Sequence, residues 1–266
     1  MTTVLAPITL AGKVTQARTT RSEWTKFRSL RSSWWTLALS VVITVGLGAV
    51  ISLAAAHDAH ADTAAHQVAT RAEIGGIFAQ LVLGVLAVLL ISGEYGTGMI
   101  RSSLATVPRR LPVFWAKLSV YVAVVLPLTL ASSFAAFWLG QVAWQSQGRP
   151  AVGLGDPEVL RIVVGSALYL TVAGVLALAI GTVLRNSAAA ISAVVGLFFM
   201  LPIAFQAMPA SIAKFAQYLP SNAGGALSGV ATSPTVLSPW TGFALLGGYT
   251  VVAVIAAAVR LRRADV

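Results

Sequence analysis

The sequence predicts an all-α integral membrane protein of six transmembrane helices. It adds an N-terminal interfacial amphipathic helix, a short cytoplasmic helix in the first inner loop, and an outer helical hairpin before the last span. Three observations predict this. Of 266 residues, 57% are hydrophobic and only 10% charged, whereas a soluble domain carries about 25% charged residues. Six apolar runs each approach or exceed the roughly 20 residues that cross a hydrocarbon core. The basic residues fall mostly on one side of those runs.

The runs are Trp35–Ala55, Ile74–Ser92, Leu118–Gln141, Ile162–Leu184, Ala188–Met208 and Thr241–Val259, and none contains Asp, Glu, Lys, Arg or His. A charge at a span centre costs about 2.5–3.5 kcal/mol on insertion scales. Lipid cannot satisfy exposed backbone groups, so helices are expected. Alternating strands of the barrel type are not seen. With the N-terminus inside, segments 1–34, 93–117, 185–187 and 260–266 hold 14 Lys and Arg, against Arg71, Arg149, Arg161 and Lys214 outside. Both termini are therefore expected in the cytoplasm, on a plasma membrane. The net charge of +10 then suits anionic headgroups rather than nucleic acid. Domains follow as a leader 1–34, a six-span unit 35–260 and a tail 261–266. The absence of cysteine excludes disulfides and thiolate metal sites.

In the leader, Trp24, Phe27, Leu30 and Trp34 share about 120° of a helical wheel. Arg18, Arg21 and Lys26 lie off that stripe, and Glu23 can pair with Lys26 at i,i+3. The pattern reads as a helix lying on the inner leaflet, or as a basic tether with interfacial Trp anchors. The first run exceeds a signal-peptide core and its leader is long, so it reads as a retained span. His57, His60 and His66, with Asp58 and Asp62, fall in an alanine-rich outer loop. Their spacing allows a weak metal site, but a solvated loop accounts for them as well. Gln80 and Gln206 are the largest uncharged polar side chains well inside the spans, a type that usually faces protein or water. Pro127 and Pro202 are expected to kink spans three and five.

The first inner loop, 93–117, carries more than a connector needs. Thr97 suits an N-cap, Ile100 and Leu104 share a face, and Val107-Pro108 ends the helix. Arg109, Arg110 and Lys117 then anchor the start of the third span. Such a segment can act as a lever on two span ends, or simply cap the loop. On the outer face, the connection 209–240 is long for a turn between spans. Ile212, Phe215 and Leu219 share a face, Pro220 ends that helix, and Asn222 is expected to cap a second one.

These features together resemble the ABC-2-type permeases, the membrane subunits of ABC exporters, and the actinobacterial members in particular. The resemblance rests on the leader, the six spans, Glu94, Gly98, Ile100, Leu104, Pro108, Arg110 and Lys117 in order, the minimal connection at 185–187, and "LPSNAGGAL" at 219–227. It implies that the first-loop helix is a coupling helix. Glu94, Tyr95, Thr97, Ile100, Arg101 and Leu104 would then contact a separate ABC ATPase subunit. It also implies a second permease subunit, identical or related, and a partly re-entrant outer hairpin. The pathway would run along spans two and five, with Phe78, Gln80, Phe198, Phe199 and Gln206 as candidates. No G-x-x-x-x-G-K-[ST] pattern occurs, so ATP and Mg are expected in the partner and no cofactor on this chain.

Competing readings are an ion-coupled transporter or channel, a membrane-embedded enzyme, and a non-transporting sensor or assembly protein. The lack of any ionisable residue within the spans argues against proton coupling. No nucleophile, acid–base pair or metal cluster at membrane depth supports an enzyme. Substrate is open, although a mostly apolar pathway suits lipids, hydrophobic drugs or amphipathic peptides. Topology can be tested because the chain has no cysteine. Single substitutions Ser102→Cys and Asp156→Cys should react with an impermeant thiol reagent from opposite sides of the membrane. Labelling from the same side would defeat the six-span reading.

Overall fold

The computed structural model describes residues 15–58, 64–96 and 110–263. It is 86% helical, with no strand among the described residues. α1 (Gln16–Ser29) starts at Thr15, whose hydroxyl accepts from the Arg18 N–H, and ends at Leu30 in extended backbone. α2 (Arg31–Asp58) follows at once as the first span. α3 (Ala65–Glu73) and α4 (Gly75–Gly96) are joined at Ile74 and together supply the second. α5 (Arg110–Gln145) and α6 (Pro157–Leu184) are the third and fourth.

The fifth span is composite: α7 (Ser187–Val195), a π-helical turn Gly196–Met200, and α8 (Leu201–Gln206). Pro202 has no N–H to offer the preceding turn, and the wider turn just before it accommodates the gap. After α9 (Ala210–Ala213) and a 3-10 turn Lys214–Tyr218 comes α10 (Pro220–Ser228), and then α11 (Pro239–Arg263) is the last span. Five of the six runs read from sequence lie inside these helices. The fifth, read to Met208, stops at Gln206.

α6 is the centre of the bundle, with 78% of its most apolar stretch buried against 22% for α11. It packs on α4, α5, α10 and α11. Small residues make this possible, since they let neighbouring helices approach closely. Gly174 lies under the Tyr121 ring, and a Cβ at Gly165 would stand 2.8 Å from the Leu227 carbonyl oxygen. α5, at 36 residues, is about 54 Å long and exceeds the roughly 30 Å hydrocarbon core. Its first turns therefore reach the headgroup zone.

Two expectations are corrected. The second span does not begin at Ile74. Helix continues back to Ala65, and Glu73 is only 1% exposed within that span. Ile74 is a joint between two helices, and the carboxyl just before it is buried in the bundle. Asn222, moreover, is not an N-cap. α10 begins at Pro220, and Asn222 is its third residue. Its Nδ2 donates to the Ala216 carbonyl at 2.9 Å, and its Oδ1 accepts from the Thr232 N–H at 3.0 Å. It ties together the two segments flanking α10.

The close approach of α10 and α11 gives a stability prediction. A Cβ at Gly242 would land on the Ala223 carbonyl, a backbone group that cannot rotate away, whereas Gly247 has open space. Gly242→Ala should cost about 1–3 kcal/mol and lower the thermal midpoint. Gly247→Ala, on the same helix, should be neutral or slightly stabilising.

Candidate functional site

The helix ends that flank the first loop converge. α1 turns Thr19, Glu23 and Phe27 inward, a set at i, i+4 and i+8. Glu23 Oε2 lies 2.8 Å from Lys117 Nζ on α5, and Glu23 Oε1 lies 2.7 Å from Lys26 Nζ. Lys117 Nζ also donates to the Leu90 carbonyl of α4 at 3.0 Å. One ammonium thus joins the helix that enters the loop, the helix that leaves it, and the leader. The Lys117–Glu23 pair is well buried, whereas Lys26 is about a third exposed, so Lys26 adds less.

Burial pushes the Glu23 carboxyl up, but the Lys117 and Lys26 ammoniums more than offset it and hold the pKa below its ordinary 4.5. Other contacts gather at the same end. Ser187 Oγ and Ser92 Oγ are 2.8 Å apart, and Arg185 Nη2 donates to the Arg260 carbonyl at 3.1 Å. At the opposite end, Arg161 donates to the Leu227 carbonyl and His66 approaches Glu158 at 3.5 Å. Residues assigned to one side by charge counting therefore meet one another. A cavity of about 370 Å³ opens beside the ion pair, walled by Phe27, Leu30, Leu86, Leu89 and Val120.

The residues singled out in the sequence separate as follows. Of the leader stripe, Phe27 is buried, while Trp24, Leu30 and Trp34 are exposed. The Trp34 ring meets Phe27 edge-on at 6.4 Å, and its N–H donates to the Arg28 carbonyl. Glu94 and Tyr95 fall in the last turn of α4. Thr97, Ile100, Arg101 and Leu104 lie outside the described residues.

Gln80 and Phe198 point into the bundle, and Gln80 Oε1 accepts from the Tyr169 hydroxyl at 2.6 Å. Phe78 and Gln206 are on the exterior and Phe199 is half-buried. The structure does not gather these five into one cavity of this chain. No cluster of three or more His, Cys, Asp or Glu stands ready for a metal among the described residues. Sequence reasoning paired Glu23 only with Lys26. Its link to Lys117 is signalled solely by a lone acid in a basic leader and a lone lysine at the edge of a span.

Six apolar helices make this a multi-pass membrane protein, and a few polar side chains join its helices to one another. A family model described as ABC-2 family transporter protein matches residues 19–203, and the chain belongs to that family. It is an ABC transporter permease. No curated protein matches the sequence.

The ion pair carries a pH prediction. A carboxyl whose pKa is lowered by folding contributes stability above its unfolded value, and that contribution is lost as pH falls through the lowered value. Contact between α1 and α5, followed by a distance probe, should weaken as pH falls below 4.5. Glu23→Gln should remove that dependence. It should also cost up to about 3–5 kcal/mol, because the buried Lys117 ammonium loses the carboxylate that balances its charge.

Proposed function

We propose that this chain is the membrane subunit of an ATP-driven exporter, moving an apolar or amphipathic substrate outward by alternating access. A separate ABC ATPase supplies the energy through the loop between α4 and α5, and ATP and Mg bind to that partner. A second permease subunit, identical or related, faces the first, and both termini are cytoplasmic in a bacterial plasma membrane. The observation that carries this reading is the Lys117 clamp. Lys117 contacts Glu23 on α1 and the Leu90 carbonyl on α4, so a push on the loop reaches the leader and two spans together. Ile100 and Leu104 fill a hydrophobic depression on the partner, with Glu94, Tyr95, Thr97 and Arg101 around it.

The apolar exterior gives the second subunit its footing. Phe78, Leu81 and Leu89 on α4, and Met200, Leu201 and Ile203 of the fifth span, are all exposed. Phe78, Phe199 and Gln206 line the pathway where two such faces meet, while Gln80 and Phe198 support it from within. An ion-coupled carrier is the second reading, favoured by the buried Glu73.

Leu104→Asp tests the coupling directly. A charge buried without a partner costs several kcal/mol, and position 104 lies outside all six spans. Membrane levels should stay normal, while copurification of the ATPase and transport should both fall. Ser102→Asp should do much less. Retention of both partner and transport in Leu104→Asp would reduce the loop to a connector. Robust transport by this chain alone in proteoliposomes would favour the ion-coupled reading.

A further inference from the structure

Buried hydroxyls on these helices usually follow one habit. Ser40, Thr44, Ser132, Thr171 and Thr182 each donate to a carbonyl of their own helix, at 2.6–2.8 Å. Ser52, Ser133 and Ser166 are equally buried, yet their Oγ atoms have no partner. The Ser133 and Ser166 hydroxyls face the Glu73 carboxyl. Both oxygens of that carboxyl are themselves buried without a hydrogen bond of sound geometry. Ser52 lies apart from this group, against Gly140 of α5: a Cβ at Gly140 would be 2.8 Å from its hydroxyl. Three orphaned side chains from α3, α5 and α6 thus face one another.

Charge narrows what belongs there. No basic side chain pairs with Glu73 among the described residues. Arg71 donates to the Ala55 carbonyl and covers the Trp144 ring, and Arg161 donates to the Leu227 carbonyl. A buried carboxylate needs a positive partner. A proton would neutralise it and leave the carboxyl and both hydroxyls free to hydrogen-bond one another, yet no bond of sound geometry forms among them. A metal cation takes lone pairs from the carboxylate and from both hydroxyls at once. All these ligands are hard oxygens, which excludes soft metals, and a single negative charge balances a monovalent ion rather than a divalent one.

We propose that Glu73, Ser133 and Ser166 bind one alkali-metal cation, sodium being the probe. The ion joins α3, α5 and α6, so its occupancy sets how firmly the second, third and fourth spans are held together. The proposal does not rest on the exporter reading.

Thermal unfolding of the full chain in lipid nanodiscs tests it, comparing sodium chloride with choline chloride at equal ionic strength and fixed pH. The midpoint should rise and saturate with sodium and stay flat with choline. Ser133→Ala and Ser166→Ala should each raise the half-saturating sodium concentration about tenfold, and Glu73→Gln should abolish the response. Radiolabelled sodium should bind the unaltered chain at a single ion per chain, a readout that survives if Glu73→Gln fails to fold. Identical melting in the two salts with no bound sodium would overturn the proposal. So would an infrared carboxylic-acid band that persists in saturating sodium and vanishes in Glu73→Gln, because the site would then hold a proton instead.

Discussion

Hydrocarbon offers no hydrogen-bond partner, and most of this structure follows from that one constraint. Backbone groups are satisfied within helices, so the chain is helical almost throughout. Buried Ser and Thr side chains turn back to their own helix carbonyls for the same reason. Where a polar side chain reaches across to another helix instead, it marks a joint. Tyr169 to Gln80 fixes α6 to α4, and Thr129 to Thr171 fixes α5 to α6. The exceptions become conspicuous against this background, and they lie at the two ends of the bundle.

At the first-loop end the exception is an ion pair. Lys117 sits near the start of a helix long enough to carry it into the headgroup zone, and it draws Glu23 inward. Breaking a buried pair costs more than the pair contributes, because one charge is left behind. The leader is therefore bound to the span that follows the first loop more firmly than its apolar stripe alone would hold it. Near the other end the exception is Glu73, which faces hydroxyls of α5 and α6. The central position of α6, in contact with α4, α5, α10 and α11, connects the two regions mechanically.

Much of this was legible in the sequence, and the misses have physical causes. Long apolar runs announce spans because composition alone decides partitioning. Side-chain partners do not show in that pattern, because Glu23 and Lys117 are 94 residues apart and nothing periodic links them. The apolar run starts at Ile74, so the sequence leaves Glu73 just outside a span. It is buried because α3 continues the helix outward and packs against α5 and α6. Asn222 was read as a cap from its place near a helix start. Pro220 begins the helix instead, which frees the amide to hold the flanking segments. Of the coupling set, only Glu94 and Tyr95 fall within the described helices.

The account stands or falls on what touches the loop between α4 and α5. Replacing Leu104 by a photo-crosslinking residue in native membranes, then identifying the captured protein by mass spectrometry, tests this most directly. The account predicts a covalent adduct with a separate ATP-binding chain that carries a phosphate-binding loop. Capture of lipid alone, or only of other copies of this chain, would contradict it.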